Sequence, residues 1–351
     1  MKALRIILLL PFSLIYSLGA FIRNKLFDWS LLKEKSFNKP VISMGNLSVG
    51  GTGKTPHVEY VIALLKDKFK VATLSRGYGR ETKGYREVTS TANFLEVGDE
   101  PVQFAAKFPD VKVAVCEDRV IGISNLIATD NPDVIILDDA YQHRYVKPGL
   151  NILLTDFYRL YSDDFIMPSG TLREPRSGSK RADIIIVTKT DPTVFSPIIK
   201  KIMLKKLKIC SYQRLYFSYI KYQTPVSLFN STKFLTEHVT TLFLITGIAN
   251  PYPFQEHVKK HCSEMYHFIY KDHHSFTKKE ISRIIDDFNR HLSTKKAIIM
   301  TEKDAKRLII NPFRSMLINL PVYYVPINIA LHQHESFDLT IKNFVEQFPK
   351  V

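Results

Sequence analysis

Residues 40–56 read PVISMGNLSVGGTGKTP. Pro40-Val41-Ile42-Ser43-Met44 is a short apolar run of the kind that forms a buried strand. Ser48 to Thr55 (SVGGTGKT) follows it as a glycine-rich turn, and Lys-Thr opens a helix. That order suits phosphate capture. The backbone N–H groups of Ser48, Val49, Gly50, Gly51, Thr52 and Gly53 can close on an anion, and the positive end of the next helix adds to them. Lys54 can then reach the β/γ-phosphates and Thr55 can ligate Mg²⁺. Pro56 falls in the first helical turn, where a missing N–H costs little. The usual pattern has Gly where Ser48 stands, so a glycine-rich turn without phosphate is the alternative. The strand before and the helix after favour the nucleotide.

Working outward, short β-branched runs recur at 71–74, 111–115, 134–137, 152–154 and 184–187, with helical patterns at 57–66 and 119–128. Continuous apolar strands are covered on both faces, and repeated β–α units give a parallel, doubly wound sheet of the P-loop NTPase-like α/β class. Ligands on such sheets bind at the carboxyl ends of the strands, where the glycine-rich turn lies. Beyond Asp191 the texture changes. Lys200, Lys201, Lys205, Lys206 and Lys208 crowd one helix, most simply as a solvated face. The aromatic stretch 214–223 is expected to form strands linking two lobes. A second, smaller α/β lobe should hold strands at 241–245, 297–300 and 322–325 and a helix near 278–288. The expected division is an N-terminal hydrophobic, membrane-associated helix (1–28), a P-loop domain (29–208), and hinge strands with a C-terminal α/β lobe (209–351).

A length of 351 residues has room for two domains. Cys116, Cys210 and Cys262 are odd in number and lack metal-ligand spacing, which fits a reducing compartment rather than a disulfide framework or zinc site. The formal charge of +15 calls for an anionic partner: nucleic acid, an acidic membrane surface or a phosphorylated substrate. The N-terminus helps to choose. Residues 6–22 are almost continuously apolar, with Lys2 and Arg5 before them and Arg23 and Lys25 after. A helix of that length spans about 26 Å, short of the roughly 30 Å hydrocarbon core, and Pro11, Ser13 and Ser17 weaken it further. An exported leader would strand an ATP site where there is no ATP. A buried core helix is the bland alternative. The preferred reading is a helix lying in or dipping into the bilayer, its basic flanks meeting anionic headgroups.

Several further stretches can carry chemistry. Residues 132–144 read PDVIILDDAYQHR, a strand ending in two aspartates, and either Asp138 or Asp139 can hold Mg²⁺ opposite Lys54 and Thr55. The competing role is a helix N-cap. His143 is close enough to face the same cleft. Gly98-Asp99-Glu100-Pro101 puts two acids at a helix start, as capping groups or as a base for a hydroxyl. Asp272-His273-His274 offers that base a partner. Residues 75–80, SRGYGR, set two arginines on a glycine-hinged loop suited to phosphate. Arg173 and Glu174 lie in a loop before the strand at 184, where an ion pair is the plain alternative. Thr188-Lys189-Thr190-Asp191 is a weak variant of a guanine-reading element.

Taken together, these blocks resemble the tetraacyldisaccharide 4′-kinases, the lipid A 4′-kinases of Gram-negative bacteria. GNLSVGGTGKTP (45–56), SRGYGR (75–80), GDEP (98–101), LDDAYQHR (137–144), LREP (172–175), TGIANP (246–251), DHHSFT (272–277) and TEKDAKRL (301–308) keep the family order. The likeness runs from the N-terminal helix to near residue 325, and its Ser48 is common in the family. Residues 161–165 depart from the expected glycine-containing loop, which bears on loop length and acceptor fit. The resemblance implies Mg²⁺-ATP as donor and an acylated glucosamine disaccharide 1-phosphate as acceptor, phosphorylated at its 4′-hydroxyl. It implies that Lys54 and Thr55 hold phosphate and metal and that Asp138 or Asp139 completes the Mg²⁺ shell, with Asp139 also counted as catalytic. Asp99, assisted by His273, would deprotonate the hydroxyl, and Arg173 and Glu174 would line the nucleotide end. It places the protein on the cytoplasmic face of the inner membrane, monotopic or with a single N-terminal anchor, meeting an anionic surface and requiring neither nucleic acid nor a protein partner. The rival from another class is a membrane-associated P-loop ATPase switch. Such switches carry a lysine before the two glycines; here that position is Val49.

Overall fold

The computed structural model describes residues 2–230, 239–248, 250–272 and 274–349, with side chains from Leu8 onward. In chain order the elements are α1 (Lys2–Asp28), β1 (Val41–Asn46), α2 (Lys54–Leu65), β2 (Val71–Ser75), β3 (Arg86–Glu87), α3 (Phe94–Val97), α4 (Asp99–Lys107), β4 (Lys112–Val115), α5 (Arg119–Thr129), β5 (Val134–Asp138), β6 (Leu150–Asp156), β7 (Ile184–Thr188), α6 (Pro197–Lys206) and β8 (Arg214–Tyr222). There follow β9 (Val226–Ser227), β10 (Val239–Thr246), α7 (Tyr252–Lys259), β11 (Cys262–Ile269), α8 (Lys278–Arg290), β12 (Lys296–Thr301), α9 (Glu302–Leu308), α10 (Phe313–Leu317), β13 (Val322–Val325), β14 (Ile327–Leu331) and α11 (His334–Glu346).

Two compact units emerge. The first joins residues 1–219 to 329–351 around a nine-stranded sheet ordered β14-β8-β7-β6-β1-β5-β2-β4-β3. Its central strands β1, β2, β5 and β7 are buried along their whole length, as their unbroken apolar sequences require of strands covered on both faces. All six predicted runs are strands, each within two residues of its expected ends. Because β5 and β6 pair with opposite sides of β1, the chain order reverses around the strand that carries the glycine-rich turn. That is where open α/β sheets bind ligands.

The second unit, residues 220–328, has a sheet ordered β11-β10-β12-β13-β9, parallel except for β9. Phe243, Ile284, Phe288, Ile298 and Met300 form part of its core, and α8 starts with a Thr277–Glu280 capping box. The predicted strands and helix are all present. The edge strand β11 was not foreseen, because its alternation of polar and apolar residues leaves it half-exposed.

Two expectations about boundaries are corrected. The aromatic stretch from Arg214 is one long strand of the first sheet, β8, and the chain leaves the first unit within it rather than at 208. Residues 329–351 return to the first unit, where α11 buries Phe337, Ile341 and Val345, and Tyr60 donates to Asp338 at 2.7 Å. The apolar spacing on α11 announces a packed helix but not which sheet it covers.

Helix α1 is amphipathic in the inverse sense. Ser13, Tyr16, Arg23, Asn24 and Phe27 form a stripe at helical spacing that faces the first unit. Leu8, Phe12, Leu14, Ile15, Leu18 and Ile22 point away, with Leu8 and Ile15 each 72% exposed. No helix among the described residues is long and apolar enough to cross a membrane. The helix end is fastened by the buried Arg144, which donates to Asp28 (2.8 Å), Glu34 (3.0 Å) and the Asn24 carbonyl (2.9 Å) and lies over the Phe27 ring. Arg144→Ala removes charge-assisted bonds together worth about 2–3 kcal/mol of local docking. Trypsin cleavage after Arg23 and Lys25 should then accelerate about tenfold or more, read by timed electrophoresis; an unchanged rate would show that α1 is held elsewhere.

Candidate active site

Strand β1 delivers its last residue, Asn46, to the base of the glycine-rich turn. Gly50 (φ 107°) and Gly53 (φ 87°) take left-handed backbone that other residues reach only with strain. The turn is tied down from outside: Val49 N–H donates to the Thr171 carbonyl and Arg173 N–H to the Leu47 carbonyl, both at 2.7 Å. Lys189 Nζ donates to the Gly51 carbonyl and to Asp156, each at 2.6 Å. The side chains of Ser48 and Thr52 are buried, Thr52 accepting from Asn46 Nδ2 at 2.8 Å. The Val49 and Thr52 N–H groups, expected to meet an anion, are thus both spent within the protein, Thr52 on the Gly50 carbonyl at 2.9 Å, while Gly51 is exposed and Lys54 and Thr55 are half-buried at the start of α2.

Lys54 Nζ lies 3.5 Å from Asp139 Oδ1 and 3.4 Å from Asn46 Oδ1. Arg173 Nη1 donates to both Asp139 oxygens at 3.0 and 3.2 Å. Burial pushes the Asp139 carboxyl up, but Lys54 and Arg173 outweigh it and hold the group below the usual carboxylate range. Asp138, buried at the end of β5, is pushed up to about 7 by burial and by the charges of Asp139 and Glu100. Its Oδ1 has no hydrogen-bond partner. No helix begins at either residue, so the capping alternative for the pair is removed.

The backbone brings the GDEP block against the turn that follows β2, the strand next to β5. A Cβ on Gly98 would meet Gly77 at 3.1 Å, so the 75–80 and 97–99 turns touch main chain to main chain. Asp99 is the first residue of α4 and half-buried. Arg119, read from sequence only as a helix start, is buried beneath the site and donates to the Cys116 carbonyl at 3.0 Å. Burial lowers its guanidinium to about 10, against the pull of Asp138 and Asp139.

Three expectations change. Glu174 does not line a nucleotide surface: it is 3% exposed and accepts from Asn24, Gln142 and, through both oxygens, Arg181. With its lone pairs taken, it holds the 172–175 loop, and Arg173 alone presents charge from that block. His143 is not poised for chemistry. Its Nε2 accepts from the Arg119 N–H at 3.3 Å, and burial with Arg119 beside it lowers the ring to about 4. His274, in the second unit, bonds Glu280 at 3.0 Å and stacks on Tyr270. His273 lies outside the described residues. Missed by the sequence reading were Asn46, Gln142 and Arg181, polar residues whose role depends on contacts between blocks far apart in the chain. Gln142, which donates to the Asn46 carbonyl at 2.8 Å, sits within a block already singled out for its aspartates.

The family model described as tetraacyldisaccharide-1-P 4′-kinase matches residues 5–346. The tetraacyldisaccharide 4′-kinase of Parabacteroides distasonis is 46% identical over 332 residues, 92% of this chain and 89% of the relative. That of Flavobacterium johnsoniae is 43% identical over 346 residues, 97% of each. A crystal structure of LpxK from Aquifex aeolicus in complex with ATP matches with a TM-score of 0.75 and 28% identity, covering 97% of this chain and 99% of that one. The chain belongs to the tetraacyldisaccharide-1-P 4′-kinase family.

Proposed function

We propose that this protein transfers the γ-phosphoryl group of ATP to the 4′-hydroxyl of a tetraacyl glucosamine disaccharide 1-phosphate, a step of lipid A biosynthesis. The observation that carries the reading is the cluster Lys54–Asp139–Arg173 at the phosphate loop of a chain matched to this kinase family almost end to end. Phosphoryl transfer asks for alignment and charge neutralisation more than for covalent help, and these groups supply both.

In this mechanism the exposed amides of the loop cradle the phosphates and Lys54 moves from Asp139 onto them, leaving Asp139 with Arg173. The orphaned Oδ1 of Asp138 fits a metal shell completed by the Thr55 hydroxyl. Bound Mg²⁺ neutralises charge on the phosphates. Asp99 accepts the proton of the 4′-hydroxyl. The new O–P bond forms as the bond between the γ-phosphorus and its bridging oxygen breaks, and ADP leaves with that electron pair. Arg119, held beneath both aspartates, keeps their paired charge tolerable in a buried setting.

The acceptor's acyl chains remain in a bilayer while its sugar reaches the strand ends, on the cytoplasmic face where ATP is present. The exposed apolar side of α1 suits that surface, and the charge of +15 suits anionic headgroups. Replacing Leu14, Ile15 and Leu18 together by Gln keeps the polar stripe docked. It should release the protein from phosphatidylglycerol vesicles on sedimentation; undiminished binding would refute the surface role.

With labelled ATP, Mg²⁺ and detergent-dispersed disaccharide lipid, label should appear on the lipid; label appearing only as free phosphate would favour the ATPase switch. Lys54→Ala should slow transfer about 10²–10³-fold. Asp99→Asn should slow it about 10²–10⁴-fold with nucleotide affinity unchanged. Full activity in the Asp99 variant would remove it from the mechanism. A stability measurement probes Asp138. Its carboxyl sits near 7 when folded and near 3.8 when unfolded, so ionisation favours the unfolded chain as pH rises through that window. Metal-free Asp138→Asn should therefore melt above the native protein at pH 8, with the gap closing toward pH 4, and Mg²⁺-ATP should reverse the order. A lower melting temperature at pH 8 would contradict the orphaned carboxylate.

A further inference from the structure

Thr55 and Glu59 stand one turn apart on α2, and Asp99, Gln103 and Lys107 stand at the same four-residue spacing on α4. The two stripes meet. Gln103 Nε2 donates to Glu59 Oε1 and Lys107 Nζ to Glu59 Oε2, each at 2.7 Å. Glu59 is 4% exposed, so both oxygens are given over to α4. Helix α4 does not need this contact to be buried, since Phe104 and Ala105 already pack into the core. Apolar packing resists separation but tolerates sliding along a helix axis; a directional two-point contact does not. The start of α4 has no side-chain cap, because its N-cap residue is Gly98. Its axial position is thus fixed from the second and third turns, in addition to the main-chain contact of Gly98 with Gly77.

We propose that Glu59 is a positioning residue for phosphoryl transfer: by gripping Gln103 and Lys107 it fixes where Asp99 stands relative to Lys54 and Thr55. The contact joins the helix that grows out of the phosphate loop to the helix that begins with the base. The two ends of the reaction are then set by one buried carboxylate. The inference rests on the assignment of Asp99 as that base.

Steady-state kinetics on Glu59→Ala, Glu59→Gln, Gln103→Leu and the exchange Glu59→Lys with Lys107→Glu test it, each variant normalised to folded protein by thermal melting. Because a misplacement of about 1 Å can cost up to 10²-fold, Glu59→Ala should lose about tenfold or more in kcat with KM for ATP unchanged. Glu59→Gln and Gln103→Leu should lose less, and the exchange should regain most of the rate. Gln103→Leu carries the test should Glu59→Ala not fold. Native kcat per folded molecule in Gln103→Leu and Glu59→Gln, or a rise in KM for ATP equal to the loss in kcat, would reduce the contact to ordinary helix packing. Full activity in Asp99→Asn would instead sink the base assignment, and this inference with it. An inactive Asp99→Asn beside a fully active, folded Glu59→Ala would sink the inference alone.

Discussion

Asp139 is shared between Lys54 and Arg173, and that sharing ties together three pieces of chain: the phosphate loop, the end of β5 and the 172–175 loop. A half-buried carboxylate between two cations draws together the segments that carry them, so each loop's position depends on the other two. The neighbouring Asp138 takes the opposite arrangement, buried with one oxygen unpartnered. One aspartate thus holds a lysine at the phosphate loop, and the other buries an oxygen without a hydrogen-bond partner, which is costly.

The main architecture was legible because its signals are local. Buried parallel strands such as β5 and β7 are written as unbroken apolar runs, and Gly53-Lys54-Thr55 marks both a turn and a helix start. What stayed hidden depends on pairing across long separations. Glu174 looks the same in sequence whether it meets a ligand or accepts from Asn24, Gln142 and Arg181. Only the fold brings residues 24, 142 and 181 to it. His143 likewise reads as a candidate base until its Nε2 is found serving the backbone of α5. The boundary at 208 was misplaced because an aromatic strand at a sheet's flank and a hinge strand share one composition.

Helix α1 contributes on two sides. Its outward residues suit a lipid surface, while Tyr16 donates to the Arg173 carbonyl, Arg23 to the Gln142 carbonyl and Asn24 to Glu174. The apolar side can change its surroundings without disturbing those bonds, since the two faces are separated by the turn of the helix. The same polar stripe steadies the loop that presents Arg173 to Asp139.

The second unit is spliced into the first between β8 and β14, which are neighbours in one sheet. A nascent chain emerging from the ribosome therefore exposes the β8 edge early and must wait for the residues after 328 to cover it. The inserted unit is complete where those residues begin and can fold first. Nucleotide binding should consequently be among the last properties gained during synthesis, and a transcript truncated near its end should yield an insert that folds beside a phosphate-binding half left open along one side.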